Sequence, residues 1–338
     1  MSLMQVMRIV GPNVWGWAAD RTNRRVTLLR LTALLSLTAF SGMFLGHTFT
    51  QFFCVMIIVN AFTSAQGPLS EALMLSEMRG DLTHYGRLRL WGSVGFIVLV
   101  TAAGQILDWY GVQTMAHIAF AMLALVWIAS MRMQETASTH ANHHVPSVLS
   151  LLRRPEVFAF FVSTFLMIGA HSALYVFYSL YLAQLGYSKT LIGFMWSLGV
   201  IAEIIFFYYQ APLFKRIGLQ KLMLASLFIA VVRFLMIGLF AQSLLILLVA
   251  QVLHAATFGV HHSASVMTLQ RWFSGPLQAR GQALYTSISY GLGGSIGGLV
   301  LSRFWDVLGA SSVFMIAALF ALAGAIAALF SYRWQREV

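Results

Sequence analysis

Apolar residues run along this 338-residue chain in long blocks separated by short, basic interruptions. A helix needs about 20 mostly apolar residues to cross the hydrocarbon core of a membrane. Eleven blocks meet that length, roughly 1–19, 27–46, 50–76, 89–107, 112–131, 156–182, 188–210, 219–240, 243–270, 281–302 and 311–331. One long polar stretch, RMQETASTHANHHVPSVLSLLRR at 132–154, separates five blocks from six. The pattern predicts an all-α polytopic membrane protein with about eleven transmembrane helices. An N-terminal bundle would occupy 1–131, a linker 132–154 and a C-terminal bundle 155–338.

Composition agrees. Hydrophobic residues make up 59% of the chain and charged residues 9%, against about 25% charged in soluble domains. The net charge of +11 would point to nucleic acid in a soluble protein. Here the bases sit in short loops between apolar blocks, which makes them topology signals, and no nucleic-acid partner is expected. If the loop holding Arg21, Arg24 and Arg25 is cytoplasmic, 17 Lys and Arg residues, Arg79 among them, lie on that face and two, Lys189 and Arg303, on the other. That bias sets which face of the membrane is cytoplasmic. Arg8 and Arg233 lie inside apolar blocks. The same orientation makes segment 1–19 run from outside to inside, so its N-terminus would be translocated with no helix before it. Cys54 is the only cysteine, so no intrachain disulfide forms.

The halves echo each other. GQILDWYG at 104–111 and SRFWDVLG at 302–309 both end a helix with Asp-x-x-Gly, and a glycine, Gly95 or Gly293, lies 13 residues before each aspartate. A duplicated unit leaves such weak symmetry. In GPNVWGWAADRTNRR at 11–25, Gly16, Asp20, Arg21, Arg24 and Arg25 stand at spacings that an ordinary basic loop does not require. Gly16 permits close helix approach, and Asp20 is placed to accept hydrogen bonds from a neighbouring helix N-terminus. This stretch resembles the signature between helices two and three of the major facilitator superfamily. Four further stretches, YGRLRLWGSVGF, GAHSALYVFYSLYL, WSLGVIAEIIFF and VVRFLMIG with QVLHAATFGVHH, look like the bacterial phenylpropionate-permease-like branch, which is related to lactose permease and to nucleoside–proton symporters. The resemblance implies a fold of two six-helix bundles, here without the first helix. It also implies symport of protons with a small organic solute, and a gating role for the Gly16–Arg25 motif.

Ionisable side chains at bilayer depth cost at least about 2.5–3.5 kcal/mol on insertion scales, so each needs a partner, a cavity or a task. Glu203 sits mid-helix among apolar residues and suits a carboxylate that loads and releases a proton. The alternative is a buried Glu–Arg clamp. Arg233 on the next helix is its expected partner, able to hold either Glu203 or an anionic solute. Gln251, His254, Phe258 and His261 fall on one helical face, and His254 is a candidate proton carrier or simply an interhelical hydrogen bonder. The helix order Glu, Arg, His matches lactose permease, but Thr257 stands where that family has a carboxylate, so its chemistry does not transfer whole. His171, Tyr175 and Tyr178 share a face suited to an aromatic or sugar-like solute, or to packing. Asn60, Ser64, Gly67 and Glu71 form a polar stripe interrupted by Pro68; Glu71 is either cavity-facing or a solvated acid. Arg87 and Arg89 are expected to snorkel or to pair with acids. No P-loop, catalytic triad or metal cluster is legible, and linker residues His140, His143 and His144 are discounted as ligands. The sequence therefore predicts a monomeric secondary transporter, not an enzyme, without cofactor or metal. It would bind its solute through His171, Tyr175, Tyr178, Gln251, Asn60 and Glu71, with coupling through Glu203, Arg233 and His254. An aromatic carboxylate is the first candidate solute and a nucleoside or sugar the second. A truncated, non-transporting or sensor-like membrane protein is the competing class.

Overall fold

The computed structural model describes residues 2–78, 84–135 and 147–336. Arg79 and the linker stretch 136–146, with its three histidines, lie outside the described residues. Every apolar block is helical, and no β-strand occurs among the described residues. The helices are α1 (Ser2–Thr22), α2 (Arg25–Ser41), α3 (Phe49–Thr63), α4 (Gln66–Glu77), α5 (Tyr85–Tyr110), α6 (Met115–Met131) and the short α7 (Val148–Leu152). They continue with α8 (Pro155–Ser172), α9 (Ser179–Gln184), α10 (Lys189–Ile217), α11 (Leu219–Phe240), α12 (Leu244–Val252), α13 (His261–Trp272), α14 (Gln278–Tyr285), α15 (Gly294–Leu308) and α16 (Ala310–Arg336).

Among the described residues nine stretches are long and apolar enough to cross a membrane. The other two blocks, in α1 and in α14–α15, are diluted by polar residues such as Arg8 and Asn13, or Gln282, Thr286, Ser287 and Ser289. Local chemistry sets the boundaries. Thr48 and Gln51 form a capping box at the start of α3. The Ser188 hydroxyl accepts from Leu191 N–H at the start of α10. Gly218 (φ 91°) turns the chain sharply between α10 and α11. The span 49–77 breaks into α3 and α4 near Ser64, whose carbonyl Pro68 cannot pair.

Three stretches widen into π-helix: Ala173–Tyr178, Ala255–Val260 and Thr286–Gly293. Such bulges cost regular hydrogen bonding and cluster at functional sites.

The chain divides into two compact units. The first comprises Met1–Asp81, Gly95–Val145 and Trp272–Ser287. Its core is built of small residues, Ala19, Ala65, Ala72 and Ala279 with Val26, Leu29, Leu69 and Leu73, as expected where lipid supplies no hydrophobic driving force and helices associate by close packing. A Cβ on Gly16 would fall 2.9 Å from the Ala283 methyl and 3.1 Å from the Ala279 carbonyl, so α1 and α14 nearly touch there. Asp20 meets its expected partner: one carboxylate oxygen accepts from the Arg280 backbone N–H at 3.0 Å, in the first turn of α14. Arg25 lies 3.7 Å from Asp20 and also donates to Gln278 Oε1 and the Gly275 carbonyl. Glu135 accepts from the backbone N–H groups of Arg25 and Val26 at the start of α2. Arg30 donates to the carbonyls of Ser130, Met131 and Met133 at the end of α6.

The second unit comprises Leu82–Val94, Pro146–Arg271 and Ile288–Val338. Here α8 packs on α15 and α16. Gly293 and Gly297, four apart, bring one helix against another: a Cβ on Gly297 would lie 2.5 Å from Gly169 Cα, and one on Gly293 2.6 Å from the Phe165 carbonyl. Large apolar side chains such as Phe158, Ile205, Leu245 and Leu299 are exposed, forming a surface for lipid.

Gly297→Leu is expected to cost at least about 1–3 kcal/mol through overpacking, and to lower the melting temperature of detergent-solubilised protein. Gly298→Leu, with nothing within 4 Å of its Cβ position, should leave the melting temperature unchanged.

Candidate functional site

The buried polar groups of the second unit converge where α5, α8, α10, α11 and the broken helix α12–α13 meet. That break is the key local feature. Beyond Val252 the regular ladder gives way to the π stretch Ala255–Val260, and the Ala250 carbonyl receives a side chain instead: Arg233 Nε donates to it at 2.6 Å. The same guanidinium donates to Thr257 Oγ1 and Gln251 Oε1, each at 2.9 Å. Arg233 is fully buried, and its three acceptors are all neutral.

The expected Glu203–Arg233 pair is therefore not formed. Arg233 bonds to the broken helix, and Glu203 turns to other partners. Ser93 Oγ, on α5, donates to Glu203 Oε1 at 2.8 Å. His254 Nε2 lies 3.7 Å from the other carboxylate oxygen. Glu203 is 5% exposed and His254 7%, so this carboxylate shares its desolvated position with a hydroxyl and an imidazole. Gly259 allows the approach: a Cβ there would lie 2.8 Å from the Phe206 ring. Thr257 serves as an Arg233 acceptor.

The predicted aromatic group joins the same cluster. The His171 ring centroid is 6.3 Å from His254 and 6.2 Å from Tyr175. Trp196 of α10 stacks on Tyr175 and meets Tyr178 edge-on. His171 and Tyr178 are buried, whereas Tyr175 is half exposed. Two buried polar atoms of this cluster, His171 Nε2 and His254 Nδ1, have no hydrogen-bond partner among the described residues, while the Tyr178 hydroxyl and the Gln251 amide face each other loosely. Donors and acceptors held so close together at a desolvated position are suited to binding a small polar solute.

Asn60 and Glu71 belong to the first unit. Asn60, Ser64, Thr63, Met7 and Arg8 line a cavity of about 240 Å³ there, and Glu71 is partly buried on α4. Of the loop motif, Gly16, Asp20 and Arg25 interlock with α14 as described. Arg21 lies over the Trp17 ring and Arg24 is exposed. Arg87 and Arg89 were expected to snorkel or to meet acids. Arg87 rests on the Tyr208 ring; Arg89 lies over the Phe207 ring, bonds to His262 and stands within electrostatic reach of the acid Glu203. Sequence reasoning missed Ser93 and His262. Ser93 is one small hydroxyl inside WGSVGF and carries no pattern of its own; His262 is hidden by the helix break.

Membrane-length helices enclosing a buried polar cluster with an aromatic rim define the class, a solute transporter of the membrane. The pattern of the MFS_1 like family matches residues 1–316, and the chain belongs to that family. It is a multi-pass transporter, not an enzyme. It is 30% identical over 296 residues to a probable 3-phenylpropionic acid transporter of Escherichia coli, covering 86% of this chain and 76% of the relative. It is 27% identical over 321 residues to the maltose permease of Geobacillus stearothermophilus, covering 91% and 79%. The fold is that of the Escherichia coli fucose:proton symporter FucP (TM-score 0.73, 18% identity, 97% of this chain and 90% of that one). The nucleoside transporter NupG is similar as well (TM-score 0.68, 15% identity, 98% and 89%).

Arg233→Lys keeps the charge but cannot reproduce three bonds from one planar fork. It is expected to destabilise the protein by about 1.5–3 kcal/mol for each charged hydrogen bond lost, read as a lower melting temperature in detergent.

Proposed function

We propose that this chain is a proton-coupled symporter of a small aromatic carboxylate in the bacterial inner membrane, with its basic loops and central linker cytoplasmic. The observation that carries the reading is Glu203. Its carboxyl group is buried, bonded to a hydroxyl and next to a histidine, and Arg233 is committed to other acceptors. Such a carboxyl group is free to take up and lose a proton without breaking an ion pair that holds the fold.

The solute would bind between the aromatic rim and the unpartnered polar atoms. Tyr175, Tyr178 and His171 supply ring faces, and Gln251 and His254 supply hydrogen bonds. Arg233 makes the site electropositive, and with neutral acceptors around it that potential is not cancelled locally, which favours an anion. Protonation of Glu203 removes the one negative charge of the cluster and makes room electrostatically for a carboxylate. Loss of the proton on the other side expels it. That ordering is a coupling free energy between two ligands of one site. Helices of 1–131 and of 155–338 would form two bundles, moving about the linker at 132–154. The Gly16–Arg25 motif would gate the cytoplasmic side through Asp20 and α14. The 3-phenylpropionic acid named for the relative fits this chemistry.

The test is uptake of radiolabelled 3-phenylpropionate into proteoliposomes under an imposed proton gradient. Wild type should accumulate the acid, and excess maltose or nucleoside should not compete. Glu203→Gln should lose gradient-driven accumulation by about tenfold or more, equal to ~1.4 kcal/mol of coupling, while retaining exchange of acid for acid. Accumulation by Glu203→Gln at the wild-type level with unchanged pH dependence would sink the proton role. Competition by maltose or a nucleoside in place of the acid would move the solute to that class.

A further inference from the structure

The structure assigns a binding groove for an anionic phospholipid to the second unit, where the start of α11 and the end of α16 enclose a largely apolar recess shared by Lys221 and Arg333. The inference concerns the surrounding bilayer, not the transported solute, and stands apart from the symport reading.

The two helices run antiparallel and meet at three levels. At one end the Ser311 hydroxyl donates to the Gly238 carbonyl. Further along, a Cβ on Gly324 would lie 3.2 Å from a Leu227 methyl and 3.2 Å from the Ser163 carbonyl, so α8, α11 and α16 pack closely there. At the other end the Gln220 amide donates to Gln335 Oε1 at 3.1 Å, and the Gln335 amide donates to the Ser331 hydroxyl at 3.3 Å. Between the second level and the third, the helices leave a cavity of about 570 Å³.

Leu224 of α11 and Leu329 and Phe330 of α16 supply its apolar surface. Leu329 and Phe330 are half exposed, so the recess borders the lipid. Phe330 stacks on Trp334 at 5.5 Å, and aromatic side chains of this kind gather at the level of lipid headgroups. The membrane-length stretches Leu219–Phe240 and Ala310–Gln335 begin and end at that level. Lys221 and Arg333, both exposed, line the same cavity, and none of its lining residues is acidic. Glu156, whose backbone carbonyl accepts from the Ser331 hydroxyl, does not line it. Tyr332 forms a buried wall, and Arg271 of α13 acts on it electrostatically. Lys221 stands in the first turn of α11, whose N-cap, Gly218, offers no side chain to the N–H groups there. The helix dipole adds to the positive potential of the two side chains.

One class of ligand meets both halves of this chemistry. A free anion uses the cations but has no use for the apolar wall. A neutral lipid tail uses the wall but not the cations. An anionic phospholipid carries a phosphate at headgroup level and an acyl chain directed into the hydrocarbon. Its phosphate sits between Lys221 and Arg333, and its chain runs along Leu224, Leu329 and Phe330. Snorkelling explains a single Lys or Arg near a helix end. It does not require one from each of two antiparallel helices over one cavity. Basic pockets between membrane helices are suited to anionic headgroups, with each Lys or Arg adding to the attraction. The bound phosphate links the ends of α11 and α16 beside the Gln220–Gln335 bond.

The test is native mass spectrometry of the full chain, released from detergent after incubation with phosphatidylglycerol or with phosphatidylethanolamine of the same acyl chains. Wild type should retain phosphatidylglycerol about tenfold more than phosphatidylethanolamine. The double variant Lys221→Gln, Arg333→Gln should lose that preference. Lys215→Gln with Arg216→Gln removes two exposed cations just before Gly218 that do not line the cavity, and should keep it. Leu329→Trp fills the recess from the lipid side, leaves both cations in place, and should lower phosphatidylglycerol retention by a similar factor. The charge and volume arms are independent, so misfolding of one variant, seen as a lowered melting temperature in detergent, leaves the other to decide. Equal retention of the two lipids by wild type, equal loss in the Lys215–Arg216 pair, or full retention by Leu329→Trp would each overturn the groove. Displacement of phosphatidylglycerol by inorganic phosphate would also overturn it, by showing a site for a bare anion.

Discussion

The structure of the second unit depends on one arginine. Arg233 carries a permanent charge at a fully buried position within a membrane-spanning helix, where every unsatisfied polar group costs several kcal/mol. It is accommodated by an opening in the neighbouring helix, whose Ala250 carbonyl, Gln251 amide and Thr257 hydroxyl all face it. The π stretch that follows is the geometric consequence, since a carbonyl given to a side chain is not available in the regular ladder. Between those acceptors lies His254, whose Nε2 is 3.7 Å from a Glu203 carboxylate oxygen. The cation thus shapes the helix, and the helix places the histidine.

This division of labour separates two charges that sequence order alone would pair. A Glu203–Arg233 clamp would neutralise both groups and fix them. With Arg233 on neutral acceptors and Glu203 on Ser93 and His254, the two groups are held apart on separate partners. A buried ion pair contributes little net stability once desolvation is counted, so forgoing it costs the fold little.

The helices were legible because membranes impose length and apolarity on each of them, and short basic loops mark their ends. All eleven apolar blocks are helical, including α1 and α14–α15, where polar residues weaken the signal. The interlock of Gly16, Asp20 and Arg25 with α14 was legible for a similar reason, since a glycine and an acid at fixed offsets in a basic loop have few other uses. The interior of the site was less legible. A regular helix aligns Gln251, His254, Phe258 and His261, but the wider π turn shifts the register. The stack that forms is His254, Phe258 and His262, spaced by four. Periodicity read at 3.6 residues per turn picks out His261, which is buried and acts on His171, but misses the ring that continues this stack. Ser93 was invisible for a different reason. Its importance comes from a carboxylate 110 residues away in sequence, and nothing local records that.

Two helical segments change company along their length. Residues 82–94 of the chain belong to the second unit and Gly95 onward to the first; Trp272–Ser287 belong to the first and Ile288 onward to the second. The changeover in α5 falls between Ser93 and Gly95, and the other falls inside the π stretch Thr286–Gly293. Glycine and π-helix are the places where a helix bends at least cost. The side chains that bond to the titratable groups stand at these same points. Ser93, on Glu203, is two residues from the first changeover, and Tyr290, on His262, is two residues past the second. Both hydrogen bonds therefore fall beside points where a helix can bend.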